Sequence, residues 1–305
     1  MKVVVLGYGS IGSRHARILK NNLKIKNIFI FSKQKIKKYK SFSNLAEIKK
    51  INPHYVVIAN NTSSHFFYLK YLENNFKNII ILVEKPLFHR HLPLRIKNNK
   101  VFVGYNMRFH PVIRFLKEKL LKDKIIDIKM ITNSYLPNWR KKIKYYKCYS
   151  AHKKLGGGVI LDLSHELDLA NWLFGKIKVK YSLHGKFSKL KINTEDTLKL
   201  YGKIERSNFS LDLSYYSHIE IRKILVNTEK NSIHADISNN FLIIKGNNLS
   251  KKINYSSFNI DSTFIDQHKA ILFNKNKKIL CDYKSAVKLQ KLIEFIKKNK
   301  GKHYQ

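Results

Sequence analysis

The chain has 305 residues, 44% of them hydrophobic, and its 60 Lys and Arg against 20 Asp and Glu give a formal net charge of +40. That length and apolar share suffice for one or two cores, and 12 Gly with 5 Pro exclude a collagen-like or broadly disordered chain. Cys148 and Cys281 stand alone, which argues against a disulfide framework or a structural zinc site.

A charge of +40 first suggests a nucleic-acid partner. The details point elsewhere. Of the 60 bases 51 are Lys and 9 are Arg, yet Arg is the usual reader of bases and phosphates. The charge is +19 over residues 1–118 and +21 over 119–305, so no basic arm stands apart. With 29 Asn as well, the excess is the composition an AT-rich genome encodes. No nucleic-acid partner is expected. No apolar run approaches the roughly 18 residues of a membrane span. Met1 to Gly9 is too short for a signal peptide, so the expectation is a soluble, cytoplasmic protein with no membrane partner.

Short apolar runs and helical stretches alternate in the first third. Lys2–Leu6, Asn27–Phe31, Tyr55–Ala59 and Asn78–Val83 read as strands, and Gly12–Asn21 as a helix. Runs such as Val56-Val57-Ile58 are apolar on both faces, as in parallel sheets covered by helices. After about residue 118 the pattern changes. Asp127–Tyr135, Lys178–Phe187, Thr197–Ile204, Asn208–Ser217, Lys223–Thr228, Ser232–Ile237 and Phe241–Lys245 alternate polar and apolar residues, the mark of strands with one wet face. Gly158–Phe174 and Tyr283–Lys298 read as helices. The expected fold is therefore α/β. Residues 1–118 form a Rossmann-type doubly wound parallel sheet. Residues 119–305 form an α+β domain with an open, mostly antiparallel sheet, the last helix packing back on the first domain.

Gly7-Tyr8-Gly9-Ser10-Ile11-Gly12 follows the first strand and opens a helix, which is the context that makes a G-x-G-x-x-G specific. Gly7 suits the tight turn, Gly9 the close approach of a pyrophosphate, and Gly12 the packing of helix on sheet. The helix N-terminus offers N–H groups to phosphates. An Asp or Glu at the end of the second strand would bind the ribose 2′-hydroxyl of NAD. Ser32 and Lys33 occupy that place, and no Asp precedes Asp123. A hydroxyl and a cation favour NADP over NAD, although a plain polar turn has the same composition. Asn60, Asn61 and Thr62, with His65, follow the strand Tyr55–Ala59 at the sheet edge where ligand binds, and Glu84-Lys85-Pro86 ends the next strand.

These motifs, with Gly104-Tyr105-Asn106-Met107-Arg108-Phe109-His110-Pro111 and Gly156-Gly157-Gly158 through Asp162, His165 and Asp168, resemble the Gfo/Idh/MocA oxidoreductases in order and spacing. The resemblance implies a nicotinamide-dependent dehydrogenase acting on a CH–OH or keto carbon of a sugar, sugar nucleotide or cyclitol. Some relatives belong to surface-polysaccharide sugar pathways. It implies that Lys85, Asp162 and His165 are catalytic, that the glycine loop, Ser32, Lys33, Asn60, Asn61, Thr62, His65, Glu84 and Lys85 meet the cofactor, and that Asn106 and Arg108 meet substrate. Many members space the Asp and His four apart; here the gap is three. Both spacings leave the pair on one face of a helix.

His165 suits the proton acceptor, since histidine's ordinary pKa is about 6.5. Lys85 suits stabilisation of an alkoxide, and Asp162 suits holding His165 or a sugar hydroxyl. No metal is expected. Trp139, Arg140 and Tyr149 lie in a run of aromatics and cations from 139 to 154. That run reads as a substrate loop for an acidic or nucleotide-linked sugar, or as a solvated loop. The alternative for the whole chain is a redox-inactive nucleotide-binding sensor on the same fold. An open sheet face leads to the expectation of a homodimer or homotetramer.

Overall fold

Strands that are apolar on both faces must be covered on both. In β1 (Lys2–Leu6) the side chains of Val3, Val4, Val5 and Leu6 have no exposed surface. The computed structural model describes residues 1–34, 36–120, 123–140 and 143–301, and for 119 and 120 the backbone. From β1 the chain passes through α1 (Ser10–Asn21), β2 (Asn27–Phe31), β3 (Lys40–Phe42), α2 (Glu47–Ile51) and β4 (Tyr55–Ile58). It continues through α3 (His65–Asn75), β5 (Ile80–Val83) and β6 (Lys100–Val103). Next come α4 (Pro111–Leu120), β7 (Ile125–Tyr135), α5 (Val159–Asp162) and α6 (Ser164–Phe174). A run of strands follows: β8 (Ile177–Gly185), β9 (Thr197–Ile204), β10 (Ser207–Ser214), β11 (Tyr216–Thr228), β12 (Asn231–Asp236), β13 (Phe241–Gly246) and β14 (Leu249–Asn254). The last elements are α7 (Asp261–Phe273), β15 (Cys281–Asp282) and α8 (Tyr283–Lys298).

Contacts divide the chain into two units, Met1–Phe109 with Ile260–Gln290, and His110–Asn259 with Lys291–Gln305. The sequence boundary at 118 thus lies inside α4, and residues 260–290 return to the first unit. The reason is apolar. Ala270 and Ile271 of α7, with Leu280, complete a core that includes Val3 and Val5 of β1 and Ala16 and Leu19 of α1. Linear reading cannot see a core partner that arrives so late.

The first unit holds a seven-stranded sheet in the order β15-β6-β5-β4-β1-β2-β3. All its neighbours are parallel except β15, which runs antiparallel to β6. The second unit holds an eight-stranded sheet in the order β14-β13-β12-β11-β7-β10-β9-β8. It is antiparallel except at the interior pair β7–β10. Period-two burial explains its one wet face. Leu198 and Leu200 of β9 and Phe209, Leu211 and Leu213 of β10 point inward, where α5 packs, while Tyr201 and Lys203 are exposed.

The structure departs from the sequence reading in places. The helix expected over Gly158–Phe174 breaks at Leu163, whose φ of −96° and ψ of 22° close α5 before α6 begins. Asp162 therefore ends one helix and His165 lies in the first turn of the next, so they do not share a face of one regular helix. β11 starts at Tyr216, well before the alternating run at Lys223, because a bulge between Tyr216 and Ile221 breaks the alternation. β3, β6, β14 and β15 are short or polar and carry no strong periodic signal. No helix among the described residues is long and apolar enough to cross a membrane.

Asp196 anchors the turn between β8 and β9. Its Oδ1 accepts from the Phe187 N–H and the Thr197 hydroxyl (both 2.9 Å), and its Oδ2 from the Ser188 N–H (2.9 Å) and hydroxyl (2.6 Å). Burial alone would raise its pKa, but these four bonds together hold it below the usual carboxylate value. A carboxyl depressed on folding contributes stability above its unfolded pKa, and that contribution is lost as pH falls through the folded value. Asp196→Asn should therefore cost about 1–3 kcal/mol in urea unfolding at neutral pH, since an amide NH₂ would face donors. The cost should shrink below about pH 4 as the wild-type carboxyl protonates. Equal midpoints for the two proteins at neutral pH would contradict this account.

Candidate active site

One row of register partners builds the edge that matters in the first unit. Phe42, Phe31, Leu6, Ile58, Val83 and Val103 lie side by side across six parallel strands. Ser32, Gly7, Ala59, Glu84 and Gly104 follow, so all line the carboxyl edge, where open α/β sheets bind ligands.

The glycine loop is built by close approach. Gly7 has φ of +97°, and a Cβ on it would lie 2.9 Å from the Ala59 carbonyl oxygen. A Cβ on Gly12 would lie 2.1 Å from the Gly7 carbonyl oxygen. These two glycines are required by the protein itself. Gly9 is different. Its φ of −76° suits any residue and nothing lies within 4 Å of the Cβ position. The protein does not need glycine there, so the open space fits a ligand drawn close to the backbone. No side chain caps α1, and the first intrahelical bond runs from the Ser13 N–H to the Gly9 carbonyl. The N–H groups before it lack a helical acceptor and suit a phosphate, with Ser10 and Ile11 in that first turn. Tyr8 stands edge-on to Tyr39.

At the end of β2, Ser32 Oγ accepts the Gln34 N–H at 3.0 Å, and Lys33 is exposed beside it. Asn60 is half-buried, Asn61 exposed and Thr62 buried at the end of β4. His65, expected to meet the cofactor, is turned towards protein backbone. It is 1% exposed, and its ring contacts backbone carbonyls: Nδ1 lies 3.0 Å from Pro86 O and Nε2 lies 3.2 Å from Asn60 O. Burial lowers its pKa against the pull of these carbonyls. His65 thus ties the loop after β4 to the turn after β5. Lys85 is half-buried in that turn, and the Lys85–Pro86 bond is cis. Glu84 is buried and accepts the Lys85 N–H at 3.2 Å.

Asn106 and Arg108, expected to meet substrate, have partners within the protein. Both are buried. Asn106 donates to the Thr263 hydroxyl at 2.6 Å, and Arg108 donates to the carbonyls of Ile279 (3.4 Å) and Leu280 (3.2 Å). They tie the returning segment to the loop after β6, where the carbonyls beside β15 take donors.

In the second unit the residues come together around Asp162, which is 3% exposed. Tyr215 donates to its Oδ2 at 2.6 Å, and Tyr149 is hydrogen-bonded to the same carboxyl. Burial, then the Asp162 charge, pushes both phenols well above their usual pKa, so both remain donors. Arg140 stands over the Tyr149 ring at 5.0 Å, and Trp139 stands edge-on to Tyr215 at 5.2 Å with its Nε1 donating to Ser134. Lys141 and Lys142 of this aromatic and cationic run lie outside the described residues. His165 is half-buried near the start of α6. Glu166 is buried and paired with Arg222 at 2.6 Å. Sequence reasoning missed Tyr215. Its signal was present: alternation in β10 puts Tyr215 in phase with Phe209, Leu211 and Leu213, and a buried tyrosine hydroxyl must find a partner. Among the described residues no group of three or more His, Cys, Asp or Glu could hold a metal ion.

A doubly wound parallel sheet with this loop at its carboxyl edge defines a dinucleotide-binding protein. Comparison with known proteins refines the class. Residues 1–93 match the oxidoreductase family's NAD-binding Rossmann fold, and residues 117–290 match its C-terminal alpha/beta domain. The chain belongs to the Gfo/Idh/MocA oxidoreductase family. It is 26% identical over 144 residues to the Bacillus subtilis protein YteT, described as an oxidoreductase; the match covers 45% of this chain and about a third (33%) of that relative. Among solved structures it is similar to levoglucosan dehydrogenase in complex with NADH, with a TM-score of 0.81 and 14% identity over 98% of this chain and 96% of the other. The WlbA dehydrogenase of Bordetella pertussis, in complex with NADH and UDP-GlcNAcA, gives 0.76 and 14% over 98% and 95%. UDP-N-acetylglucosamine 3-dehydrogenase GnnA of Acidithiobacillus ferrooxidans gives 0.74 and 16% over 97% and 96%.

Replacing Gly9 and Gly12 should separate binding from folding. Gly12→Ala meets a backbone oxygen and should cost about 1–3 kcal/mol in unfolding. Gly9→Ala should keep its thermal midpoint and raise the Kd for NADH about tenfold or more in calorimetric titration, roughly 1.4 kcal/mol. An unchanged Kd for Gly9→Ala would show that no ligand approaches that backbone.

Proposed function

We propose that the protein is a nicotinamide-dependent dehydrogenase acting on a CH–OH or keto carbon of a sugar, and that its substrate is acidic or nucleotide-linked. The observation that carries this reading is the row across six strands, which brings Gly7, Glu84 and Lys85 to one sheet edge beside an uncapped helix end. Bound nicotinamide supplies the acceptor and donor of hydride. Lys85, as a cation, orients a substrate hydroxyl and stabilises developing alkoxide charge. His165 takes the hydroxyl proton, or returns it in reduction. Asp162, clamped by Tyr149 and Tyr215, is a fixed acceptor for a sugar hydroxyl or for His165. Trp139 offers a flat apolar ring to a sugar face, and Arg140 suits a carboxylate or phosphate. The acidic sugar nucleotide bound to WlbA and the UDP-sugar in the name of GnnA support that class. Ser32 and Lys33 favour a 2′-phosphate, so NADP(H) is bound at least as well as NAD(H).

Full-length protein assayed with NAD and NADP against UDP-GlcNAc, UDP-GlcNAcA, levoglucosan and glucose tests the reading. Turnover of a UDP-sugar is expected. Tight NADH binding without turnover of any of the four would favour a redox-inactive nucleotide sensor. Lys85→Ala should lower kcat by about 10²–10⁴ and leave the Kd for NADH within about twofold. Retained turnover would remove Lys85 from the chemistry. Lys33→Glu should weaken NADPH about tenfold and leave NADH nearly unchanged, as loss of one charge-assisted contact requires. Equal effects on both cofactors would sink the 2′-phosphate assignment.

A further inference from the structure

Four titratable side chains from four separate places form one hydrogen-bonded line inside the first unit. The Tyr55 hydroxyl lies 2.9 Å from His268 Nδ1, His268 Nε2 lies 2.9 Å from His15 Nδ1, and His15 Nε2 lies 2.9 Å from Glu84 Oε1. Tyr55 is on β4, His268 on α7, His15 on α1, and Glu84 just beyond β5. Tyr55, His268 and His15 have no exposed surface. The His15 ring is held edge-on by Phe264 (5.4 Å) and His268 (5.0 Å), so it has one orientation.

The line has a direction. Burial, then the neighbouring His15, drives the His268 pKa well below its usual value, so that ring is neutral with one N–H. Burial, then the Glu84 charge, holds the Tyr55 hydroxyl well above its usual pKa, so it donates. Tyr55 O–H then donates to His268 Nδ1, His268 Nε2–H to His15 Nδ1, and His15 Nε2–H to Glu84 Oε1. Each bond polarises the next, and all three donors point towards the carboxylate. The other carboxylate oxygen accepts the Lys85 N–H. Gly104 leaves room for the carboxylate, since a Cβ there would lie 2.7 Å from Oε1. The line is not a proton conduit. Moving each proton one step towards Glu84 would leave a buried tyrosinate on Tyr55.

We propose that Tyr55, His268 and His15 are positioning residues: they hold Glu84 as an immobile carboxylate and through it fix the Lys85 backbone against the helix that carries the glycine loop. Its value for catalysis rests on the role of Lys85 proposed above. The positional claim does not.

Amide hydrogen exchange at Lys85, measured in the full chain, reads the Lys85 N–H to Glu84 bond directly. Tyr55→Phe keeps the ring and removes the first donor; His268→Phe removes the centre of the line. Both should speed exchange at Lys85 about tenfold, with Val83 and Gly104 on the same edge unchanged. His268→Gln, whose amide can donate to His15 Nδ1, should restore most of the protection. Exchange at Lys85 equal to wild type in folded Tyr55→Phe would overturn the proposal. So would equal acceleration at Val83 and Gly104, which marks general loosening. Should His268→Phe fail to fold, Tyr55→Phe and His268→Gln still decide. Turnover by Lys85→Ala is a separate measurement, so failure of the catalytic reading and failure of the positioning line are distinguishable.

Discussion

The contact between Gly12 and the Gly7 carbonyl governs the first unit. A single methyl at Gly12 would sit 2.1 Å from that oxygen, so α1 lies as close to the end of β1 as a helix can. Everything on α1 inherits that placement. Its uncapped first turn faces the carboxyl edge of the sheet, and His15, one turn further on, reaches Glu84 beyond β5. A bulkier residue would lift the helix and pull the phosphate-facing backbone and the histidine away together. The glycine therefore sets two distances at once, one towards a ligand and one towards the core.

The second unit solves a different problem. Asp162 is a buried carboxyl where water is scarce, and the hydroxyls of Tyr215 and Tyr149 hydrogen-bond to it. Glu166, a few residues on, pairs with Arg222.

Much of this was legible in the sequence, and the reasons differ by residue. β1, β2 and the glycine loop were legible because their signals are local: apolar runs followed at once by a spaced glycine motif. The antiparallel character of the second sheet followed from period-two patterning, while the parallel β7–β10 pair did not, because nothing in either strand records its partner. The protein partners of Asn106 and Arg108 were not legible, because a polar residue inside a ligand-lining motif looks the same whether it faces ligand or core. Their partners, Thr263, Ile279 and Leu280, lie more than 150 residues further along. His268 was silent for the same reason. The break at Leu163 has no glycine or proline to announce it.

The return of α7 and β15 to the first unit has a consequence for synthesis. About 150 residues, His110–Asn259, leave the ribosome between the two parts of that unit. At roughly 5–20 residues per second, that is a wait of about 8–30 s. During it β6 is an unpaired strand edge, since β15 has yet to emerge. The apolar surface that Ala270, Ile271 and Leu280 will cover is open as well. The nascent chain is thus most exposed to chaperones, and to misassembly with its neighbours on a polysome, at the domain whose sequence looks the most complete.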